Sequence, residues 1–258
     1  MPGIAFLLFP PFFFLFLIIF QREWITPMTA AYIAQAFCQN YTQIQEVTDL
    51  VNAFEWTIIP IVNGDGYVYT WTEDRMWRKN RRSNPDSACF GVDINRNWGY
   101  QWGTGGSSAL PCSDTYKGPA AFSEPEETAV SNYIASKSNV VGYIDLHSYG
   151  DLFMYPWGYT CSAWVSNNIT QNAAGQDFAS AVFSVHQERF TVGPVCQTIY
   201  QASGGSNDWT YGVANVPFSF AAELRGNSFV IPPDNIIPSG QEIFAGVQSW
   251  ATYIQQNS

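Results

Sequence analysis

Beyond residue 24 the chain alternates short apolar, β-branched runs with segments in which apolar residues recur every three or four positions, the pattern of strands interleaved with helices. Tyr32, Ile33, Ala36 and Phe37 share one helical face behind Thr26-Pro27, which supplies an N-cap and a first-turn proline, so a helix is predicted over 26–37. A second helix is expected over about 43–54. Residues 56–62 read as a buried strand running into a tight turn at Asn63-Gly64-Asp65-Gly66. Ser123-Glu124-Pro125-Glu126 has capping-box spacing for a helix to about residue 136. Residues 140–146 form the next buried strand, with His147 at its carboxyl end, and a helix follows over about 171–189. A last strand over 217–224 carries Glu223 near its end. Ser239-x-x-Glu242 then caps a helix with an apolar stripe of Ile243, Phe244, Val247, Trp250, Ala251 and Ile254. Strands alternating with helices predict one α/β domain over 21–258, a sheet covered by helices on both faces. In open sheets of this kind ligands bind beyond the carboxyl ends of the strands, where His147 and Glu223 fall.

Residues 3–20 are apolar throughout, long enough for a transmembrane helix or a signal-peptide core. Pro10-Pro11 interrupt the run, no basic segment precedes it, and Arg22-Glu23 follow at once. Signal, membrane anchor and incorrect start therefore remain three open readings, and membrane contact is expected only for the anchor. The chain as a whole is acidic and sparsely charged, with net charge -10, pI near 4.5 and 12% charged residues. Such a balance excludes a broad phosphate-binding surface and with it nucleic acid as a partner. It fits a secreted, extracellular protein, with a membrane-anchored form as the alternative, and a monomer is expected. Five cysteines are too few for a disulfide scaffold, and none are spaced as a C-x-x-C zinc pair. Asn40-Tyr41-Thr42 and Asn168-Ile169-Thr170 have the glycosylation spacing.

Six of the eleven basic residues crowd into 74–98, as Arg75, Arg78, Lys79, Arg81, Arg82 and Arg96. For Lys79, Arg81 and Arg82 a solvated loop face and an anion site stand as equal readings. Arg78 beside Trp77, and Arg96 between Asn95 and Asn97, are placed to be held by packing and amide hydrogen bonds. A guanidinium so fixed suits bidentate capture of a carboxylate. Of the two histidines, His147 ends an apolar strand and reads as a metal ligand, whereas His186 among Gln187, Glu188 and Arg189 reads as a surface residue. Glu223 interrupts the apolar run Phe218-Ser219-Phe220-Ala221-Ala222, where a carboxylate is either functional or paired, here with Arg225. Glu23 is either a ligand or the partner of Arg22.

The motifs REWITP, NGDGY, WRKNR, GVDINRNW, DLHSYG, IYQASGGSNDW and AAELR, in that order, resemble the zinc metallocarboxypeptidases of the carboxypeptidase A family. The resemblance implies a mixed, mostly parallel sheet, one Zn2+ ion, and peptide or protein C-termini as the partners. It assigns Glu23 and His147 as metal ligands, Glu223 as general base and Arg78 as stabiliser of the oxyanion. It puts Arg22 near the substrate carboxylate or scissile carbonyl, Asn95, Arg96 and Tyr200 on the free C-terminal carboxylate, and Tyr149 on the subsites. Asn207 falls at the position setting side-chain preference, and its uncharged amide implies apolar or aromatic C-terminal residues. The pattern breaks at Phe20, where the family's first zinc histidine falls, so the chain as written is expected to be an impaired enzyme lacking the family's N-terminal elements. The alternative is a non-catalytic protein that binds peptide C-termini. Disulfides Cys89–Cys112 and Cys161–Cys196 are implied, leaving Cys38 unpaired.

Overall fold

A computed structural model describes residues 22–137 and 139–257 in full and the backbone of 12–17. In chain order the elements are β1 (Phe12–Leu17), α1 (Ile25–Asn40), α2 (Gln45–Ala53), β2 (Phe54–Ile59), α3 (Gly64–Thr72), α4 (Pro125–Ala135), β3 (Val140–Ser148), β4 (Leu152–Tyr155), α5 (Asn168–His186), β5 (Thr191–Pro194), α6 (Val195–Thr198), α7 (Ser206–Gly212), β6 (Phe218–Leu224) and α8 (Ile236–Asn257). One sheet runs in the order β2-β1-β3-β6-β4-β5. Every pairing is parallel except β4 against β6, so the sheet is mixed and mostly parallel as expected.

Burial on both faces explains why β3 reads as a near-continuous apolar run and β6 as one broken by polar residues. One face packs on α1, α2, α5 and α8, where the predicted stripe of Ile243, Val247, Trp250, Ala251 and Ile254 is buried. Phe153 stacks between Phe178 at 3.7 Å and Phe220 at 4.4 Å, and Trp250 meets Phe220 edge-on at 5.8 Å. The other face packs on α4 and α7 through Val130, Ile134, Tyr143 and Trp209, together with Ile94 and Trp98.

Several local expectations are corrected. Six residues of the apolar run form β1, a strand held between β2 and β3, so there the run supplies sheet rather than a membrane helix or a signal core. No helix among the described residues is long and apolar enough to cross a membrane. The remainder of 1–21, including Phe20, lies outside the described residues. Helix α1 starts before Thr26, because that hydroxyl reaches back to the Glu23 carbonyl at 2.8 Å from within the first turn. Asn63-Gly64-Asp65-Gly66 opens a helix rather than closing a turn: the Asn63 side chain accepts the Gly66 N–H at 2.9 Å and caps α3. The strand before it, β2, is a half-exposed edge beginning at Phe54.

Neither predicted serine cap forms. Ser123 gives its hydroxyl to Glu124, which takes the cap position of α4, and Ser239 lies inside α8 against Thr29 at 2.9 Å. The two implied disulfides, Cys89–Cys112 and Cys161–Cys196, are formed, and Cys38 is free and exposed.

Candidate active site

Strands β3 and β6 lie side by side in register, pairing His147 with Glu223 at their carboxyl ends. A cavity of about 290 Å³ opens there, and its lining includes all ten candidate side chains outside the disulfides: Arg22, Glu23, Arg78, Asn95, Arg96, His147, Tyr149, Tyr200, Asn207 and Glu223. They come from seven separated stretches of chain, at 22–23, 78, 95–96, 147–149, 200, 207 and 223.

Glu23 sits just ahead of α1, and its carboxylate accepts the Ser148 N–H at 2.9 Å and faces His147 Nδ1 at 3.4 Å. It is therefore not the partner of Arg22, whose guanidinium lies over the Phe229 ring at 4.2 Å and reaches Asp114 at 3.3 Å. Arg75 fixes this corner by donating to the carbonyls of Arg22 and Phe229 at 2.6 and 2.9 Å. Tyr149 packs edge-on against Phe229 at 5.0 Å and completes the wall.

Arg78 is buried and gives Nε and Nη2 to Asp93 Oδ2, both at 3.0 Å. Burial works against its charge, but Asp93, Glu23 and Tyr200 outweigh it and raise its pKa. The rest of the basic cluster is not a solvated face. Lys79 bonds the Pro111 carbonyl, Arg81 stacks on Tyr69 at 3.7 Å and Trp77 at 4.4 Å, and Arg82 pairs with Glu124 at 2.6 Å. These three cations tie loops together, while Arg78 and Arg96 face the cavity.

Arg96 is clamped by the carbonyls of Gly106 and Asn95 at 3.0 and 2.9 Å and lies 5.9 Å from the Tyr200 ring, itself 50% exposed at the mouth. The segment leading into α7 presses on this loop so closely that a Cβ on Gly204 would stand 2.4 Å from the Arg96 carbonyl. Glycine is needed there, and with φ +70° it adopts the left-handed backbone at no steric cost. On the opposite side Met154, Val195, Ile199, Ala202 and Ala221 make an apolar wall. Asn207 is the polar group among them, only 7% exposed, with a buried Nδ2 that has no hydrogen-bond partner among the described residues.

Glu223 Oε2 is likewise buried without a partner. Burial, then the charge of Glu23, pushes its pKa up to about 8 against the pull of His147 and Arg78. Its alternative partner is engaged elsewhere: Arg225 bonds Glu242 at 2.9 Å and Glu188 at 2.8 Å. His186 joins that network through Glu242 at 2.9 Å, so it is a paired residue rather than a bare surface one.

Two acids not singled out from the sequence also matter. Asp93 holds Arg78, and Asp145, fully buried on β3, lies 2.7 Å from His147 Nε2. Asp145 carries the same signal as Glu223, a carboxylate inside an apolar strand, and alternation along β3 puts it on the face of His147 two residues on.

Residues 19–246 match the family described as zinc carboxypeptidase. The metallocarboxypeptidase A-like protein of Trichophyton verrucosum (strain HKI 0517) is 45% identical over 234 residues, covering 88% of this chain and 54% of that protein. Carboxypeptidase A2 of Rattus norvegicus is 39% identical over 242 residues, covering 93% and 58%. The crystal structure of carboxypeptidase A from Helicoverpa armigera superposes with a TM-score of 0.88 at 34% identity, covering 96% of this chain and 62% of that one. The chain thus spans a little over half the length of the curated relatives it matches.

Proposed function

The chain belongs to the zinc carboxypeptidase family, and on that premise we propose that its cavity takes the free C-terminus of a peptide or protein and hydrolyses the last peptide bond. The observation that carries the reading is that one cavity holds Glu223, whose buried Oε2 has no hydrogen-bond partner among the described residues, together with the fixed cations Arg78 and Arg96.

Zinc fits two of the donors present. The Glu23 carboxylate and His147 Nδ1 face each other across 3.4 Å, an oxygen and an imidazole nitrogen of the kinds zinc accepts, and they would hold it. Among the described residues no group of three such donors forms, and the sequence has Phe20 where the family has a histidine. When bound, the ion would supply Lewis-acid polarisation of the scissile carbonyl.

The other steps are assigned to this chain's own groups. Arg96, Asn95 and Tyr200 grip the terminal carboxylate, which restricts cleavage to the chain end. Arg78, preorganised by Asp93, stabilises the developing oxyanion. Glu223, whose pKa burial raises to about 8, takes the proton of the attacking water in its ionised form and hands it to the leaving amine. The apolar wall around Asn207 favours an apolar or aromatic last residue. Two disulfides suit an oxidising, extracellular setting, and we expect the protein to act as a monomer.

The incomplete donor set favours a second reading, in which the chain binds C-termini without cutting them. Release of phenylalanine from a blocked Gly-Phe dipeptide, measured with zinc content per chain, separates the two. Turnover abolished by Glu223→Gln supports the peptidase, whereas carboxylate-dependent binding with no release supports the binding protein.

A further inference from the structure

Asp145 is buried in the middle of β3 with no exposure, and one of its oxygens, Oδ2, is the meeting point of three groups. His147 Nε2 lies at 2.7 Å, Ser206 Oγ donates at 2.7 Å, and Asn95 Nδ2 donates at 3.2 Å. The Asn95 amide is held at its other end too, since its Oδ1 accepts the Ser206 N–H at 2.8 Å. Asp145, Ser206 and Asn95 therefore close a ring of hydrogen bonds, and the His147 imidazole hangs from the same carboxylate oxygen. A charged acceptor makes each of these bonds stronger than a neutral one would.

The geometry has a direction. The imidazole has two nitrogens, and a carboxylate on Nε2 turns Nδ1 toward Glu23, 3.4 Å away across the cavity wall. A hydrogen bond at one ring nitrogen settles which role the other can take and fixes the ring plane. Asn95 is one of the groups that the reading above places on the substrate carboxylate, and His147 is one that it places on zinc. Both are oriented by one buried carboxylate oxygen, on a residue that does not line the cavity.

We propose that Asp145 is a positioning residue that couples the two halves of the site, setting the imidazole of His147 and the amide of Asn95 together. The inference rests on the carboxypeptidase reading for Asn95, and on geometry alone for His147. The arrangement implies that disturbing Asp145 loosens discrimination for a free C-terminal carboxylate even when no metal is present.

The test uses the 258-residue chain in a chelating buffer, with Asp145→Asn, Asp145→Leu and Ser206→Ala as variants. Asp145→Asn keeps the shape and one acceptor and removes the charge, so it remains informative if Asp145→Leu fails to fold. Calorimetry gives the affinity of benzoyl-Gly-Phe relative to its C-terminal amide, and proton NMR reads the slowly exchanging ring N–H of His147. With only two histidines in the chain, His186→Gln assigns that signal. The parent chain should prefer the acid and show the protected N–H. Asp145→Asn should lower the acid-to-amide preference several-fold, Asp145→Leu by tenfold or more with loss of the N–H signal, and Ser206→Ala should lower the preference while keeping the signal. An unchanged preference and a persistent N–H signal in folded Asp145→Asn and Asp145→Leu would overturn the proposal. A parent chain that does not distinguish acid from amide would instead sink the carboxypeptidase reading, and the Asn95 half of the inference with it.

Discussion

If the cavity takes apolar C-terminal residues as proposed, Asn207→Asp should turn it into one that binds a C-terminal lysine, and the structure lets the size and pH range of the change be worked out. Asn207 is 7% exposed, and its amide nitrogen has no partner among the described residues, so an aspartate there would be an unpaired acid beside an apolar wall. The neighbouring Asp208 does not compete for the lysine: its carboxyl is spent on the N–H groups of Gly158 and Tyr159, and burial already pushes its pKa to about 7. An ammonium about 4 Å from the new carboxylate gains roughly 4 kcal/mol at an effective dielectric of 20. Desolvating both ions takes back a large part, leaving about 1.4–2.8 kcal/mol, roughly a 10- to 100-fold swing in the lysine-to-phenylalanine affinity ratio. Burial raises a carboxyl pKa, so the new acid should be largely neutral at pH 5 and charged at pH 8.5, and the swing should grow between them. Calorimetry in a chelating buffer, with blocked dipeptides ending in Phe and Lys at both pH values, measures it without turnover. A ratio within twofold of the parent at pH 8.5, in a variant that melts cooperatively, would remove Asn207 from the specificity surface.

Four other outcomes are expected. Phe20→His should raise zinc per chain toward one after gel filtration, from a sub-stoichiometric value in the parent, as read by atomic absorption; equal content would show that position 20 is not a ligand. In that zinc-loaded variant Glu223→Gln should lower the release of C-terminal phenylalanine roughly 10²- to 10⁴-fold while leaving affinity in chelator within threefold, and a smaller loss of rate would exclude Glu223 as the base. For Asp208 the folded pKa lies above the unfolded one, so the folded state holds more protons and stability falls as pH rises from about 4 to about 7, by roughly 3–4 kcal/mol in total. Urea unfolding of Asp208→Asn across that window should show a correspondingly flatter slope, and an undiminished one would mean that other groups set it. Expressed through a secretory pathway, the chain should carry a glycan on Asn40, which ends α1 at an exposed turn, and not on Asn168, whose amide oxygen accepts the Tyr155 hydroxyl at 2.9 Å; peptide mass mapping that finds Asn168 occupied refutes this.

What could be read from the sequence divides along a physical line. Strands β3 and β6 are legible because both faces are buried, and for the same reason their polar intruders stand out: a His or Glu tolerated in such a run has work to do or a partner to meet. Asp145 answers to the same rule, which is why a buried carboxylate two residues before His147 is as strong a signal as Glu223. The apolar run at the start shows the limit of hydropathy. An apolar strand and a membrane segment can have the same composition, and only pairing with β2 and β3, far along the chain, separates them for residues 12–17.

The helix caps and the basic cluster fail for one shared reason. Ser123, Ser239 and Thr26 have the right residue type at the right spacing, yet each spends its hydroxyl on another partner, namely Glu124, Thr29 and the Glu23 carbonyl. For Lys79, Arg81 and Arg82 a linear reading leaves a solvated face and an anion site equally open, because the Pro111 carbonyl, the rings of Tyr69 and Trp77, and Glu124 are brought to them by the fold. A polar side chain advertises that it needs a partner, and local spacing ranks the near partners first. When the fold offers a charged or buried partner instead, that bond is the stronger one and the local motif is left unmade. Glu23 and Glu223 carry the same ambiguity, each with an arginine close by in sequence, and the fold resolves it by sending Arg22 to Asp114 and Arg225 to Glu242 and Glu188. Arg78, Arg96, His147 and Glu223 line the same cavity, so a reading that groups them by chemistry also groups them by position.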